Sequence, residues 1–358
     1  MKYEIKKIVK NKVLIILFLA AVAVSIFVSL RHLSYNEDDV KVYENPSSES
    51  YKYKLDYYDS VNEYREKVCR IADRLKNSSD EYVAALNSEL KNSYQEQLSF
   101  VTVFYTTFIA KSMWNSSDIG TLFFLVFFLS FVAQMFFSDV STNMIGMLRT
   151  TYKTKKIFWN KLKWIFLVSV LISVLKVAIE YLPQWIHGNI IDLTNPIQSI
   201  EGFQESPYNI SILAFIGIDV LLSILSFLAI GMLVIAFANI LKKIPRLITL
   251  VIITSGIWYY MFYYITKINY VSALGVTEDN RWFTNIIRRF TTVFTLFDPV
   301  SYFKKAEYIN ILGMPVRLLN VTLITAIIFV AIMIFVCRHL YLRRDGNVRS
   351  YRIVKKEW

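Results

Sequence analysis

IGTLFFLVFFLSFVAQMFF (residues 119–137), followed by SDVSTNMIGMLRTTYKTKKIFWNKLK (138–163), decides the fold. The first stretch is apolar from end to end. A helix needs roughly 20 such residues to cross the ~30 Å hydrocarbon core of a bilayer. The second stretch carries Arg149, Lys153, Lys155, Lys156, Lys161 and Lys163 against a single acid, Asp139. A basic segment beside an apolar run stays on the cytoplasmic side of the membrane. The chain therefore reads as crossing inward over 119–137, with 138–163 in the cytoplasm.

Five more runs have the same character: 13–30, 164–182, 210–238, 247–265 and 316–337. The run at 210–238 is longer than a crossing needs, so it tilts or protrudes. The first run is too long for a signal-peptide core and is closed by no small-residue cleavage site, so it reads as an uncleaved signal anchor. Composition agrees. The chain of 358 residues is 55% hydrophobic and 16% aromatic, with 23 Tyr and 26 Phe, and its mean hydropathy is +0.40. The net charge of +12 lies between apolar runs, which favours a membrane over nucleic acid as the partner.

Six runs with the N-terminus inside put four segments in the cytoplasm: the start, 138–163, the turn around Lys242, Lys243 and Arg246, and the tail. Together these carry 21 basic and four acidic residues, whereas the outer segments carry 17 basic and 22 acidic. The positive-inside rule selects this orientation. The run 100–110 is only 11 residues long, too short to cross. Counting it as a span would also turn the basic loop outward, so it is placed at the outer surface or leading into the second span.

The expected fold is thus an all-α polytopic membrane protein with six transmembrane helices and both termini cytoplasmic. Its parts are an interfacial amphipathic helix at 1–12, a first span at 13–30, an extracytoplasmic helical loop domain at 31–118, a five-span domain at 119–338 and a basic tail at 339–358. Within 31–118, Leu55, Tyr58, Val61, Val68, Ile71, Ala72 and Leu75 keep helical spacing, as do Val83, Leu86, Leu90, Tyr94 and Leu98. Ser78 with Glu81 reads as a capping box opening the second helix. A helical hairpin follows. In the N-terminal stub Ile5, Ile8 and Val9 share one face and lysines the other. This fits a helix lying among lipid headgroups or a basic start that sets topology. The tail fits an anionic lipid contact, an ATPase contact or a topology anchor.

Cys69 and Cys337 fall on opposite sides of the bilayer, so they do not pair. The chain has no G-x-x-x-x-G-K-[ST] phosphate loop. His32, His187 and His339 lie on different segments with no H-E-x-x-H. Neither an ATP site nor a hydrolytic constellation is present, so the chain reads as a non-enzyme with no cofactor of its own. Charges inside spans are costly and mark pairs or cavities. Lys176 and Glu180 are four residues apart on one helix face, and Asp219 in the fourth span falls at similar depth. A Lys176–Asp219 or Lys176–Glu180 pair is expected, as a tie between helices ahead of a role toward a substrate.

The loop 138–163 holds the functional signal. After Asp139 comes an apolar helical patch of Met144, Met147 and Leu148. A Thr150-Thr151 break follows, then Lys155 with Ile157 and Phe158. Met and Leu offered beyond the membrane are offered to a partner. In this the chain resembles the type-2 permease family of ATP-binding-cassette transporters. There an acidic residue after the second span leads to a short helix, a Thr-Thr-Pro-like turn, a basic residue and a Lys opening the third span. Asp139, Leu148, Thr150, Thr151, Lys155 and Lys161 occupy matching places. Asn143-Met144 stands for the usual Gly-Thr, and Tyr152 for the Pro. Asp298-Pro299-Val300-Ser301-Tyr302 looks like the family's Asn-Pro-x-x-Tyr turn before the last span, where the family has short re-entrant outer helices.

The resemblance implies a coupling helix near 140–160, a separate ATPase that binds ATP, and a second permease subunit, identical or related. It implies export as the common direction, and membrane lipids but no nucleic acid as further partners. The abundance of Lys, Asn, Ile, Tyr and Phe is that of an AT-rich genome, so a bacterial plasma membrane is expected. A non-transporting sensor or assembly factor that uses the outer hairpin to bind a partner is the alternative.

Overall fold

The computed structural model describes residues 11–31, 49–95, 110–141, 154–186, 193–200, 202–240, 301–304 and 306–343. The first helix starts at a side-chain cap. Asn11 Oδ1 accepts hydrogen bonds from the backbone N–H groups of Val13 (2.9 Å) and Leu14 (3.4 Å), two of the donors a helix start leaves open. From there α1 runs Lys12–Arg31 with no polar face. A helix apolar on every side belongs in a core or a bilayer.

The expected hairpin is present as α2 (Glu49–Leu75) and α3 (Glu81–Gln95), packed on each other. Its cap differs from the Ser78–Glu81 box. Asp80 Oδ1 accepts the N–H groups of Tyr82 (2.9 Å) and Val83 (3.3 Å), while Ser78 Oγ reaches only the Asp80 N–H at 3.3 Å. Asp80 directly precedes the helix and so holds the N-cap position; Ser78 stands too far back.

Four further long helices follow: α4 (Ala110–Ser141), α5 (Thr154–Ile186), α6 (Ile212–Ile240) and, after the short α7 (Ser301–Lys304), α8 (Leu318–Arg343). With α1 they make five helices, among the described residues, long and apolar enough to cross a membrane. The chain is a mostly helical, multi-pass membrane protein. The fifth expected run, 247–265, lies outside the described residues, as do 1–10, 142–153, 282–300 and 344–358. α4, α5 and α8 extend well beyond their apolar runs, α8 as far as Arg343. α4 starts at Ala110, so the short run 100–110 ends where this helix begins; residues 100–109 lie outside the described residues. α5 starts at Thr154, so the basic stretch before Trp164 forms its first turns.

α6 packs on α4, α5 and α8, and α1 packs on α4 and α5. α4 and α6 are the most buried spans; α1 and α8 leave large side chains such as Phe27, Ile327 and Phe335 exposed. Lipid tails are as apolar as leucine, so close backbone approach rather than hydrophobic burial holds such a bundle. Gly120 supplies it between α4 and α1: a Cβ there would lie 2.6 Å from Ser25 Oγ and 3.3 Å from Ser25 Cα.

One end of the bundle carries the α2–α3 hairpin (the hairpin end); the other carries the junction between α4 and α5 (the loop end). At the hairpin end the segment 195–212 closes on itself. Ile197 N–H donates to Ile210 O, and Ile212 N–H to Asn195 O. The buried Gln198 Nε2 donates to Ser206 O (3.1 Å) and Tyr208 O (2.7 Å). The helical hairpin is fastened to this closed loop. Tyr57 OH lies 2.9 Å from both Gln198 O and Ile200 O, and Tyr94 OH donates to Glu205 O at 2.6 Å. Burial pushes the Tyr94 phenol well above its ordinary pKa, so it stays a donor.

The all-α expectation needs one amendment. Antiparallel strands β1 (Tyr308–Ile311) and β2 (Met314–Arg317) precede α8. Leu312 (φ 53) and Gly313 (φ 86) form the two-residue turn, with Gly313 N–H donating to Asn310 Oδ1 at 2.8 Å. Positive φ at both positions is the hairpin turn geometry that matches strand twist. Arg317 then reaches α3, donating to Glu89 Oε1 (3.0 Å) and Ser93 Oγ (2.8 Å), with Tyr208 beneath its guanidinium. The 316–337 run thus divides into the end of a strand and a helix.

Candidate functional site

Lys176 and Glu180 come from α5 and Asp219 from α6. Lys176 Nζ stands 3.9 Å from Glu180 Oε1 and 4.0 Å from Asp219 Oδ1, and all three side chains are at most 4% exposed. Both expected pairings are therefore present together, and the second one ties α5 to α6. Asp219 lies seven residues into α6, about 10 Å along its axis from the hairpin end. The cluster occupies the half of the bundle nearer the hairpin.

Buried hydroxyls accompany it: Ser25 on α1 and Thr121 on α4 line a cavity with Lys176 and Glu180, while Ser173 on α5 and Ser223 on α6 lie one helical turn from Lys176 and Asp219. Ser25, Gly120, Thr121, Phe124, Lys176, Ile179 and Glu180 line a cavity with room for about one water molecule. Next to it Ser29 Oγ donates to Ile179 O at 3.0 Å, tying α1 to α5. The sequence reading took in the three charges and passed over these hydroxyls. Their signal was helical spacing: Ser173, Lys176 and Glu180 at i, i+3 and i+7, and Asp219 with Ser223 at i and i+4, each set on one face.

A second buried lysine stands at the loop end. Lys161 Nζ donates to Met135 O on α4 and lies 5.4 Å from the Phe136 ring centroid. Beside it the rings of Phe136, Phe158 and Tyr341 meet pairwise with centroids 5.5–6.0 Å apart, locking α4, α5 and α8 together. Of the expected partner-facing residues, Lys155 is exposed and Ile157 half-buried. Phe158 is fully buried: it packs between helices and presents no surface to a partner. Asp139 lies in the last turn of α4. Met144, Met147, Leu148, Thr150 and Thr151 lie outside the described residues. The exposed start of α5 is Lys155, Lys156, Trp159 and Lys163.

Cys69 and Cys337 are both free thiols, the latter buried and donating to Met232 O. Among the described residues no group of three or more His, Cys, Asp or Glu side chains is arranged to hold a metal ion. Comparison of the chain with protein families, curated proteins and solved structures gives no match.

Proposed function

We propose that the chain is the membrane-spanning permease subunit of an ATP-driven transporter, an exporter, coupled to a separate ATPase through the loop around 138–161. The observation that carries this reading is the continuity of α5. Its first turns expose Lys155, Lys156 and Trp159, and the same helix runs unbroken to the charge cluster. Lys161 and Phe158 bind those first turns to α4 and α8. A push on the exposed start would move a packed unit rather than a fraying end. The basic loop end is cytoplasmic in this reading, and the α2–α3 hairpin faces outward. The resemblance of Asp139, Leu148, Thr150, Thr151, Lys155 and Lys161 to the type-2 permease pattern supports the same conclusion. Two such chains, identical or related, would enclose the pathway in a bacterial plasma membrane.

The test is purification of tagged chain from its native membrane. A P-loop ATPase should accompany it, and alanines at Met144, Met147 and Leu148 should release that ATPase while the permease remains folded. Purification without an ATPase, under conditions that keep the bundle intact, would contradict the proposal. The fastening of the hairpin to the 195–212 loop gives the sensor or assembly-factor reading its one point of support, since it presents a rigid surface at that end. That reading predicts a partner held by the hairpin and unaffected by the three alanines.

A further inference from the structure

The intramembrane cluster does not balance its charge. Apart from Arg317 at the edge of the last run, the six apolar runs contain three charged residues, Lys176, Glu180 and Asp219. Fully ionised, they leave one negative charge over. Among the described residues, the elements packed around them offer no second cation. α1 brings Ser25 and Ser29, α4 brings Gly120 and Thr121, α6 adds Ser223, and α8 has no charged residue from Leu318 to Cys337. A surplus charge in the apolar interior is costly unless something neutralises it.

The geometry says where the neutralising group sits. Separations of 3.9 and 4.0 Å from Lys176 to the two carboxylates are too long for hydrogen bonds. Glu180 Oε1 and both Asp219 oxygens have no hydrogen-bond partner among the described residues. Ser25 Oγ and Thr121 Oγ1, on residues 5% and 1% exposed, are also without one, and they line the same water-sized cavity as Lys176 and Glu180. Contacts just beyond hydrogen-bond reach around such a space are what a bridging water spans.

We infer that this cluster is a proton-binding site, holding one exchangeable proton shared by the Glu180 and Asp219 carboxyls, with one water in the cavity beside Ser25 and Thr121. The proton leaves one ammonium, one carboxylate and one carboxylic acid, which is neutral overall. It also supplies an O–H donor among acceptors that have none. A metal ion suits the cavity less, because the Lys176 ammonium lines it. The site lies about 10 Å from the hairpin end of α6, so exchange runs to the water on that side. The inference stands whether or not an ATPase drives the chain.

Infrared spectroscopy of the full chain in lipid nanodiscs at neutral pH tests it. Solvated Asp and Glu side chains are then carboxylates; a buried carboxylic acid gives a separate C=O stretch that moves in D2O. One such band is expected in the unaltered protein, lost in Glu180→Gln or in Asp219→Asn. Both variants should fold, since each leaves one carboxylate facing one ammonium. The absence of a carboxylic-acid band from the unaltered protein overturns the proposal, as does a band that survives both substitutions. A band that emerges only when sodium is removed assigns the cavity to a metal cation and overturns it equally.

Discussion

Lys161 and Lys176 stand on the same helix, about 22 Å apart along its axis, and both are buried, yet their surroundings differ in kind. Lys161 meets a neutral carbonyl and an aromatic face close to the loop end. Lys176 faces two carboxyl groups across gaps of about 4 Å, beside a cavity lined by the hydroxyls of Ser25 and Thr121. The first arrangement is a fastening, with a backbone carbonyl and an aromatic ring against the ammonium. The second is a charged chamber whose members depend on one another, and such clusters occur where a membrane protein binds or moves something. One helix thus joins a mechanical end to a chemical one.

The contrast breaks most readily at Lys176. Lys176→Met leaves the buried Glu180–Asp219 carboxyl pair without its counter-charge, and loss of one partner of a buried pair costs about 3–5 kcal/mol. Unfolding in mild detergent should show that loss, and neutralising Glu180 and Asp219 in the same chain should restore most of it. A harmless Lys176→Met would dissolve the distinction between the two lysines. Lys161→Met removes the charged hydrogen-bond donor from the Met135 carbonyl, so about 1.5–3 kcal/mol is expected, with no rescue from the cluster variants.

Gly120→Ala sharpens the chamber's dependence on close helix approach. Its Cβ must displace Ser25, whose backbone Cα is 3.3 Å away, and overpacking of this kind costs about 1–3 kcal/mol. The same variant should perturb the carboxylic-acid band, because Ser25 lines the cavity. The smallest effect belongs outside the bundle. Hydrogen bonds from Lys91 and Lys76 hold the exposed Asp73 carboxyl below its ordinary range. Its contribution is fully present above the unfolded value near 3.8 and is lost only as pH falls through the lower folded value. Proteolysis of the α2–α3 hairpin should therefore be unchanged between neutral pH and about pH 5.

The spans were legible because an apolar run has few alternatives, and the boundaries of α1 and α6 fall within two residues of the runs that announced them. The three charges were legible for the same reason: a charge in such a run must find a partner. The extent of α5 was not. Lys155, Lys156 and Lys161 look like loop residues by charge, but they are good helix formers and simply continue the helix outward. Phe158 was read as a contact for a partner because it follows basic residues; its place one turn before Lys161 turns it inward instead. The closed loop at 195–212 and the β1–β2 strands depend on pairing across several residues with no periodic signature, and Leu312 sits where a turn ordinarily takes Asn or Gly. The hydroxyls were hidden because serine and threonine in a span usually bond to their own helix, as Ser226 and Thr322 do here.

The coupling of the loop end to an ATPase is tested most directly by site-specific photocrosslinking in the native membrane, with the crosslinker placed at Met147. The account predicts an adduct with a P-loop ATPase, lost when Met144 and Leu148 become alanine and absent when the crosslinker stands on the hairpin at Tyr82. An adduct at Met147 with a protein lacking a phosphate loop, or an ATPase captured equally well from Tyr82, would contradict it.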